Sequence, residues 1–282
     1  MRFITNKIWR FHGRAFERLF NLFRGIGSWP IAVSFIKDDQ TYKISDANGP
    51  NSLYVSRTSR IPKYRGGLRH RRRILVGEYM LGEIPLEPGG FCVDVGANIG
   101  EVTKILEDEY NARVIAIEPD RREFKSLCRN ISSSSFPLNM GLWYEADDLT
   151  LFDRNDTGDS SFLETSGDSG SNSYTVSVDT LDKVVSGFIA SDENIQLIKV
   201  EAEGAEPEVL LGARKTLNRT RFVVVDVGPE RGEEKESTLI PVLRLMRDAE
   251  FVPVLFNPMR HTLLFAHRCE TKFIRLYEQS LE

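Results

Sequence analysis

Cysteine and histidine are scarce in this chain, with three and four among 282 residues. Cys92, Cys128 and Cys269 lack metal-ligand spacing, and Cys92 falls in a stretch that reads as a core strand. A reduced, cytoplasmic protein is therefore expected, with no metal site. No run approaches the roughly 20 apolar residues of a membrane span, and the first residues lack the continuous apolar segment of a signal peptide. No G-K-[ST] follows a glycine loop, which excludes P-loop chemistry. A strong positive charge is also missing: the net charge is -4, which argues against a dedicated nucleic-acid binder. One local exception runs from Arg57 to Arg73, with eight basic residues and no acidic one. Such a tract reads as a solvated face, or as a steering patch for a phosphorylated or carboxylated substrate.

What is present is organised around FCVDVGANIG, Phe91 to Gly100. Phe91 to Val95 reads as a buried strand interrupted only by Asp94. Gly96, Asn98 and Gly100 then form a run that tolerates positive φ and lets a ligand touch bare backbone. Val102, Ile105, Leu106 and Tyr110 share one face of the helix that follows. Strand, glycine-rich turn and helix open a nucleotide-binding α/β sheet, and Glu118, at the end of the next strand, stands where such folds hold a ribose diol. The dinucleotide spacing G-x-G-x-x-G fails, because Asn98 replaces the second glycine and Glu101 the third. A carboxylate at that helix start opposes a pyrophosphate. A ligand with adenine and ribose but a charged amino-acid tail fits, which is S-adenosylmethionine.

Strand and helix patterns then alternate to the end of the chain. Phe136 to Trp143 reads as a third strand, and DDLTLFD and YTVSVDT as strands flanking a Ser/Gly/Asp-rich loop. QLIKVEAEGAE places Glu201 and Glu203 at the end of the fourth strand, and FVVVDVG ends the fifth at Asp226. FVPVLFN and TLLFAHR, joined by PMRH, form an antiparallel hairpin, giving a mostly parallel sheet with one reversed strand at its edge. RRRILVGEYMLGEI reads as a helix covering the sheet edge. Ahead of these, Phe16, Leu19, Phe20 and Phe23 fall at helical spacing in a basic N-terminal segment. That helix either packs on the protein's own core or lies on an anionic membrane surface. SWPIAVSFIKDDQTYKISD alternates as a small β-ribbon.

Ligands in open α/β sheets lie beyond the carboxyl ends of the strands. The acidic strand ends Asp94, Glu118 and Glu201 are therefore expected to converge, with His261 on the same rim. Methyl transfer to a hydroxyl needs alignment and a proton acceptor. Glu201 is the first candidate and His261 the second; Glu201 is also read as a partner for the ligand's ammonium group. Glu203 and Glu206 are alternatively helix-capping acids.

The motifs VDVGANIGE (Val93 to Glu101), IEPD (Ile117 to Asp120), TLD (Thr180 to Asp182), IKVEAEGAE (Ile198 to Glu206) and VLLGA (Val209 to Ala213) resemble the FkbM-type S-adenosylmethionine-dependent methyltransferases. The resemblance runs from about residue 66 to about 268. It implies a Rossmann-like class I methyltransferase: a mostly parallel seven-stranded sheet with an antiparallel edge strand, plus a small N-terminal extension. The expected units are 1–73 (extension), 74–268 (methyltransferase domain) and 269–282 (tail). By position, Asp94, Gly96, Asn98 and Gly100 would cradle the methionine end of the cofactor, Glu118 the ribose, and Asn139 to Gly141 the adenine. Glu201 stands where the family usually has Asp, and Asp226 where Glu is common. The implied activity is O-methylation of a hydroxyl on a sugar, glycolipid or polyketide-type acceptor, and a cofactor-binding module without catalysis is the competing reading.

Overall fold

In the computed structural model, which describes residues 12–24, 29–47, 49–153, 160–165 and 172–278, the chain opens with α1 (Gly13–Phe23) and a three-stranded antiparallel sheet. The strands are β1 (Ile31–Ile36), β2 (Thr41–Asp46) and β3 (Ser52–Val55). Phe16 and Phe20, one helical turn apart, bury both rings against Ile31, Val33, Tyr42, Ile44 and Val55. Burying a side chain of this size contributes about 1.5–3 kcal/mol. The apolar face of α1 thus packs on the protein's own core. The more N-terminal part of that basic segment lies outside the described residues.

A 3₁₀ segment (Thr58–Tyr64) leads into α2 (Leu68–Glu78), and the main α/β alternation follows. It comprises β4 (Phe91–Val95), α3 (Glu101–Tyr110), β5 (Arg113–Ile117), α4 (Arg121–Asn130) and β6 (Phe136–Leu138). Next come β7 (Gly141–Leu142), β8 (Asp147–Asp153), β9 (Asn172–Asp179), α5 (Leu181–Ser186), β10 (Ile195–Val200), α6 (Glu206–Leu211) and α7 (Arg214–Leu217). The chain continues through β11 (Thr220–Asp226), β12 (Pro229–Arg231), β13 (Glu236–Ser237), α8 (Leu239–Asp248), β14 (Phe251–Asn257), β15 (Thr262–His267) and α9 (Thr271–Glu278).

The main sheet has seven strands in the order β14-β15-β11-β10-β4-β5-β6. Its strands are parallel except β15, which runs antiparallel to both neighbours. The expected reversed edge strand therefore sits one place inward, and β14 forms the rim. Period-two alternation distributes the core over the two faces. Val93, Val95, Ile198, Val200, Val223 and Val225 meet α5, α6 and α8 on one side. Cys92, Leu197, Phe222, Val224 and Leu264 meet α2, α3 and α9 on the other.

Several expected boundaries shift. The third strand breaks after Leu138, and β7 joins β8 and β9 in a separate three-stranded sheet. Rather than covering an edge, α2 lies over a sheet face, with Leu75 and Tyr79 in the core. A boundary at residue 73 would cut α2 in two, and Ile99 of the glycine turn shares an apolar cluster with the N-terminal sheet. The tail is likewise anchored, since Phe273 of α9 stacks edge-on against Phe222 at 4.9 Å.

Candidate active site

The turn after β4 carries three left-handed residues: Gly96 (φ 70°), Asn98 (φ 54°) and Gly100 (φ 85°). At Gly96 the requirement for glycine is steric as well, because a Cβ would lie 1.9 Å from the Glu201 carbonyl oxygen. Gly96 and Ala97 donate their N–H groups to the Ile117 carbonyl, each at 3.0 Å. The turn is thereby drawn against the ends of β5 and β10, and α3 starts at its far side.

A cavity of about 560 Å³ opens at these strand ends, within the range of cofactor pockets. Gly96, Ala97, Asn98, Glu118, Gly141 and Glu201 line it, along with Met140, Leu142 and Phe162. Glu118 is buried, with Oε2 accepting from Asn98 N and Oε1 from Asp120 N, both at 2.7 Å. Burial first, and then the nearby Asp120 and Glu123 charges, push its carboxyl up to about 8 against its backbone hydrogen bonds. A Cβ on Gly141 would collide with the Phe162 ring at 2.5 Å.

Strand register builds the other half of the site. Lys199 lies opposite Asp94 on adjacent parallel strands, both on the α2 face of the sheet. The Lys199 ammonium, on a side chain only 2% exposed, sits 3.2 Å from Asp94 Oδ1 and 3.1 Å from Glu201 Oε2. It also donates to the Val95 and Gly96 carbonyls at 3.1 and 2.7 Å. Glu201 accepts in addition from the Tyr79 hydroxyl at 2.5 Å and from Arg260. Arg260 pairs with Asp226 at 3.2 Å as well. Burial raises the Tyr79 phenol above its ordinary range, which keeps the hydroxyl protonated and donating. Burial also lifts Asp226, to about 6.

The expected site residues thus divide. Gly96, Asn98, Glu118, Gly141 and Glu201 are brought together on the cavity wall. Asp94 is fully buried and turned to Thr103 Oγ1 (2.7 Å) and Lys199, so its side chain supports the turn from behind. Gly100 acts as the left-handed cap of α3. Asn139 is exposed and donates to the Glu118 and Pro119 carbonyls, fixing the turn after β5 without facing the cavity. His261 is exposed in the β14–β15 turn, and Arg260 takes the place on the wall. Glu206 is buried and accepts from Ala202 N (2.9 Å) and Gly204 N (3.1 Å), a turn-capping role. Lys199, Tyr79 and Arg260 escape sequence reasoning. Only Lys199 left a signal, as the one charged residue inside the strand Ile195–Val200.

The basic tract is not a uniform solvated face, and Arg60, Lys63 and Arg71 line the cavity. Arg57 and Arg60 are buried, Arg71 pairs with Glu101, and Arg72 with Asp108 and Glu109. Arg65, Arg69 and Arg73 are exposed.

An α/β sheet of this order, with a bare glycine turn and an acid ending the second parallel strand, defines a nucleoside-binding Rossmann-like protein. The methyltransferase FkbM domain matches residues 94–253, more than half of the chain, and the protein belongs to that family. It is an S-adenosylmethionine-dependent methyltransferase. The 2-O-methyltransferase NoeI of Sinorhizobium fredii is 24% identical over 226 residues, covering 71% of this chain and 88% of its own. The hexuronic acid methyltransferase AglP of Haloferax volcanii is 31% identical over 171 residues, covering 56% and 67%. Among solved structures, an rRNA methylase from Streptococcus thermophilus aligns with a TM-score of 0.39 at 13% identity, over 69% of this chain and 96% of that one. Among the described residues, no helix is long and apolar enough to cross a membrane.

The residues present fit the cofactor. Gly96 leaves backbone bare where a Cβ cannot be accommodated, and Glu118 offers acceptor oxygens at the wall. Met140, Leu142 and Phe162 supply apolar surface beside them, and Glu101 at the start of α3 disfavours a phosphate.

Proposed function

We propose that this protein methylates a hydroxyl of a sugar or glycan acceptor. The observation that carries the reading is the composition of the cavity wall beyond Glu201. Glu78, Glu203, Glu230, Arg71 and Arg260 line it, so hydrogen-bonding groups of both kinds face an acceptor there. A polyhydroxylated ring needs donors and acceptors together, whereas an extended apolar acceptor needs a continuous hydrophobic wall. Two methyltransferases similar to this chain support the same reading: one is named a 2-O-methyltransferase and the other a hexuronic acid methyltransferase.

In this proposal Glu118 binds the ribose hydroxyls and Gly96 and Asn98 the amino-acid end, while Met140, Leu142 and Phe162 enclose the adenine. Bound S-adenosylmethionine supplies an electrophilic methyl group on a sulfonium. Glu201 Oε1 or Oε2 would take the acceptor's hydroxyl proton as its oxygen bonds the methyl carbon and the methyl–sulfur bond breaks, the electron pair leaving with sulfur in S-adenosylhomocysteine. Three donors converge on that carboxylate and fix its direction. The hydroxyl proton becomes strongly acidic as its oxygen bonds carbon, so a weak but well-placed acceptor suffices, a task worth about 10²–10⁴-fold.

The test is incubation with methyl-labelled S-adenosylmethionine and a panel of neutral sugars, uronic acids and oligosaccharides, with aromatic and polyketide alcohols alongside. Label appearing as a methyl ether on a carbohydrate is the expected result. Transfer to the aromatic or polyketide alcohols alone would overturn the acceptor class.

A further inference from the structure

Glu118 does not stand alone behind the cavity. Its Oε1 accepts from the backbone N–H of Asp120, so the Asp120 main chain sets where the carboxylate points. Asp120 is the N-cap of α4, with Oδ1 accepting from Arg122 N (2.8 Å) and Glu123 N (3.3 Å). Its other oxygen, Oδ2, receives the Arg57 guanidinium at 2.8 Å and the Ser160 hydroxyl at 2.8 Å. The same guanidinium reaches Asp153 Oδ1 of β8 at 2.7 Å and pairs with Glu123 of α4. Glu123 also accepts from Arg60 Nε (3.1 Å) and Ser56 Oγ (2.5 Å).

Arg57 is 3% exposed, Asp120 1% and Glu123 0%. Burial alone would lower the charge on the guanidinium, but the Glu123 and Asp120 charges raise its proton affinity and keep it ionised. On Asp120, burial pushes the carboxyl up, and the Arg57 and Ser160 contacts outweigh it and hold it below its ordinary value. Arginine suits this place because its planar fork can meet several carboxylates at once, where a lysine ammonium is a single point charge.

We propose that Arg57 is a positioning residue for the ribose-binding carboxylate Glu118, and that the segment preceding the family-matched region 94–253 is therefore part of the cofactor site. The route runs from the guanidinium to the Asp120 side chain, through the Asp120 N–H to Glu118 Oε1, and from there to the ribose hydroxyls. Without Arg57, Asp120 becomes a buried acid without its cation, Glu123 keeps Arg60 alone, and the turn that aims Glu118 loses its one charged anchor while retaining Ser160 and Asn139. The inference rests on Glu118 being the group that takes the ribose diol.

The experiment compares S-adenosylhomocysteine with its 2′,3′-dideoxyribose analogue by calorimetry, so that the ribose contact is read separately from the rest of the ligand. Wild-type protein is expected to favour the natural ligand by about tenfold or more, the scale of a buried hydrogen-bonding group left without its partner. Arg57→Gln is expected to weaken S-adenosylhomocysteine about tenfold and to leave the dideoxy analogue within about twofold, erasing the discrimination. Arg57→Lys should recover part of it. Equal weakening of both ligands, or no weakening, would overturn the positioning role. Absence of discrimination in the wild type would instead remove Glu118 as the ribose acceptor, and this inference with it. Should Arg57→Gln fail to fold, Asp153→Asn leaves the Asp120 and Glu123 pairs in place and loosens one arm of the fork. The same selectivity is then expected at about two- to threefold, and a uniform loss across both ligands would refute the proposal.

Discussion

Two of the buried cations, Arg57 and Lys199, differ in what their carboxylates face. Arg57 is enclosed by Asp120, Glu123 and Asp153, whose side chains tie β3 and its following turn to α4 and β8. Lys199 is held by Asp94 and two carbonyl oxygens on its buried side and by Glu201 on the other. Glu201 lies on the cavity wall, and none of the three Arg57 carboxylates does. The same chemistry, a desolvated cation among acids, thus acts as a clamp in one place and as a site in the other. Access of one carboxylate to the cavity decides which.

The largest expected effect sharpens that contrast. Glu201→Gln keeps the shape of the wall and removes the proton acceptor, so turnover should fall about 10²–10⁴-fold with cofactor affinity retained. If affinity collapses instead while turnover at saturation survives, Glu201 serves the cofactor. Lys199→Met removes the charge at similar volume and strands Asp94 in the core. Breaking a buried pair in this way costs about 3–5 kcal/mol, to be read as a lower denaturant midpoint. A loss under about 1 kcal/mol would show that Asp94 finds other partners.

Glu118 links the two regions through pH. Its folded-state value of about 8 lies above the unfolded one, so its contribution to stability is complete below the ordinary glutamate range and is lost as pH rises through about 8. The folded protein retains a proton that the unfolded chain has already released. The cofactor-free wild type should therefore lose melting temperature between pH 5 and pH 9 more steeply than Glu118→Ala, by at least about 2–4 °C. Parallel curves would mean that Glu118 is ionised throughout. The smallest effect is expected at His261. Asparagine accepts the left-handed backbone there (φ 60°), and His261→Asn should leave turnover unchanged and stability within about 0.5 kcal/mol. A loss of activity would return the histidine to the chemistry.

The glycine turn, the acid ending the second strand and the alternation of strands and helices were legible in the residues, because each is a local pattern. Gly96, Asn98 and Gly100 announce left-handed backbone, and Glu118 and Glu201 follow apolar strands whose ends must meet. The rest of the site was not legible, because it depends on residues far apart in the chain. Tyr79 and Glu201 are 122 positions apart, and Arg260 and Glu201 59. The placement of Arg260 rather than His261 on the wall turns on one residue of hairpin register. The arginine tract is divided for the same reason: composition records its charge, but only packing shows that Arg57 and Arg60 point inward to acids 63 to 96 residues away.

By itself, then, the sequence determined the fold, the cofactor and the strand ends where they meet, since short-range periodicity and backbone freedom specify those. Tertiary structure decided which charges became scaffold and which face the cavity. The free energy of a buried charge is set by its partners and by its distance from water, and both are properties of the folded chain.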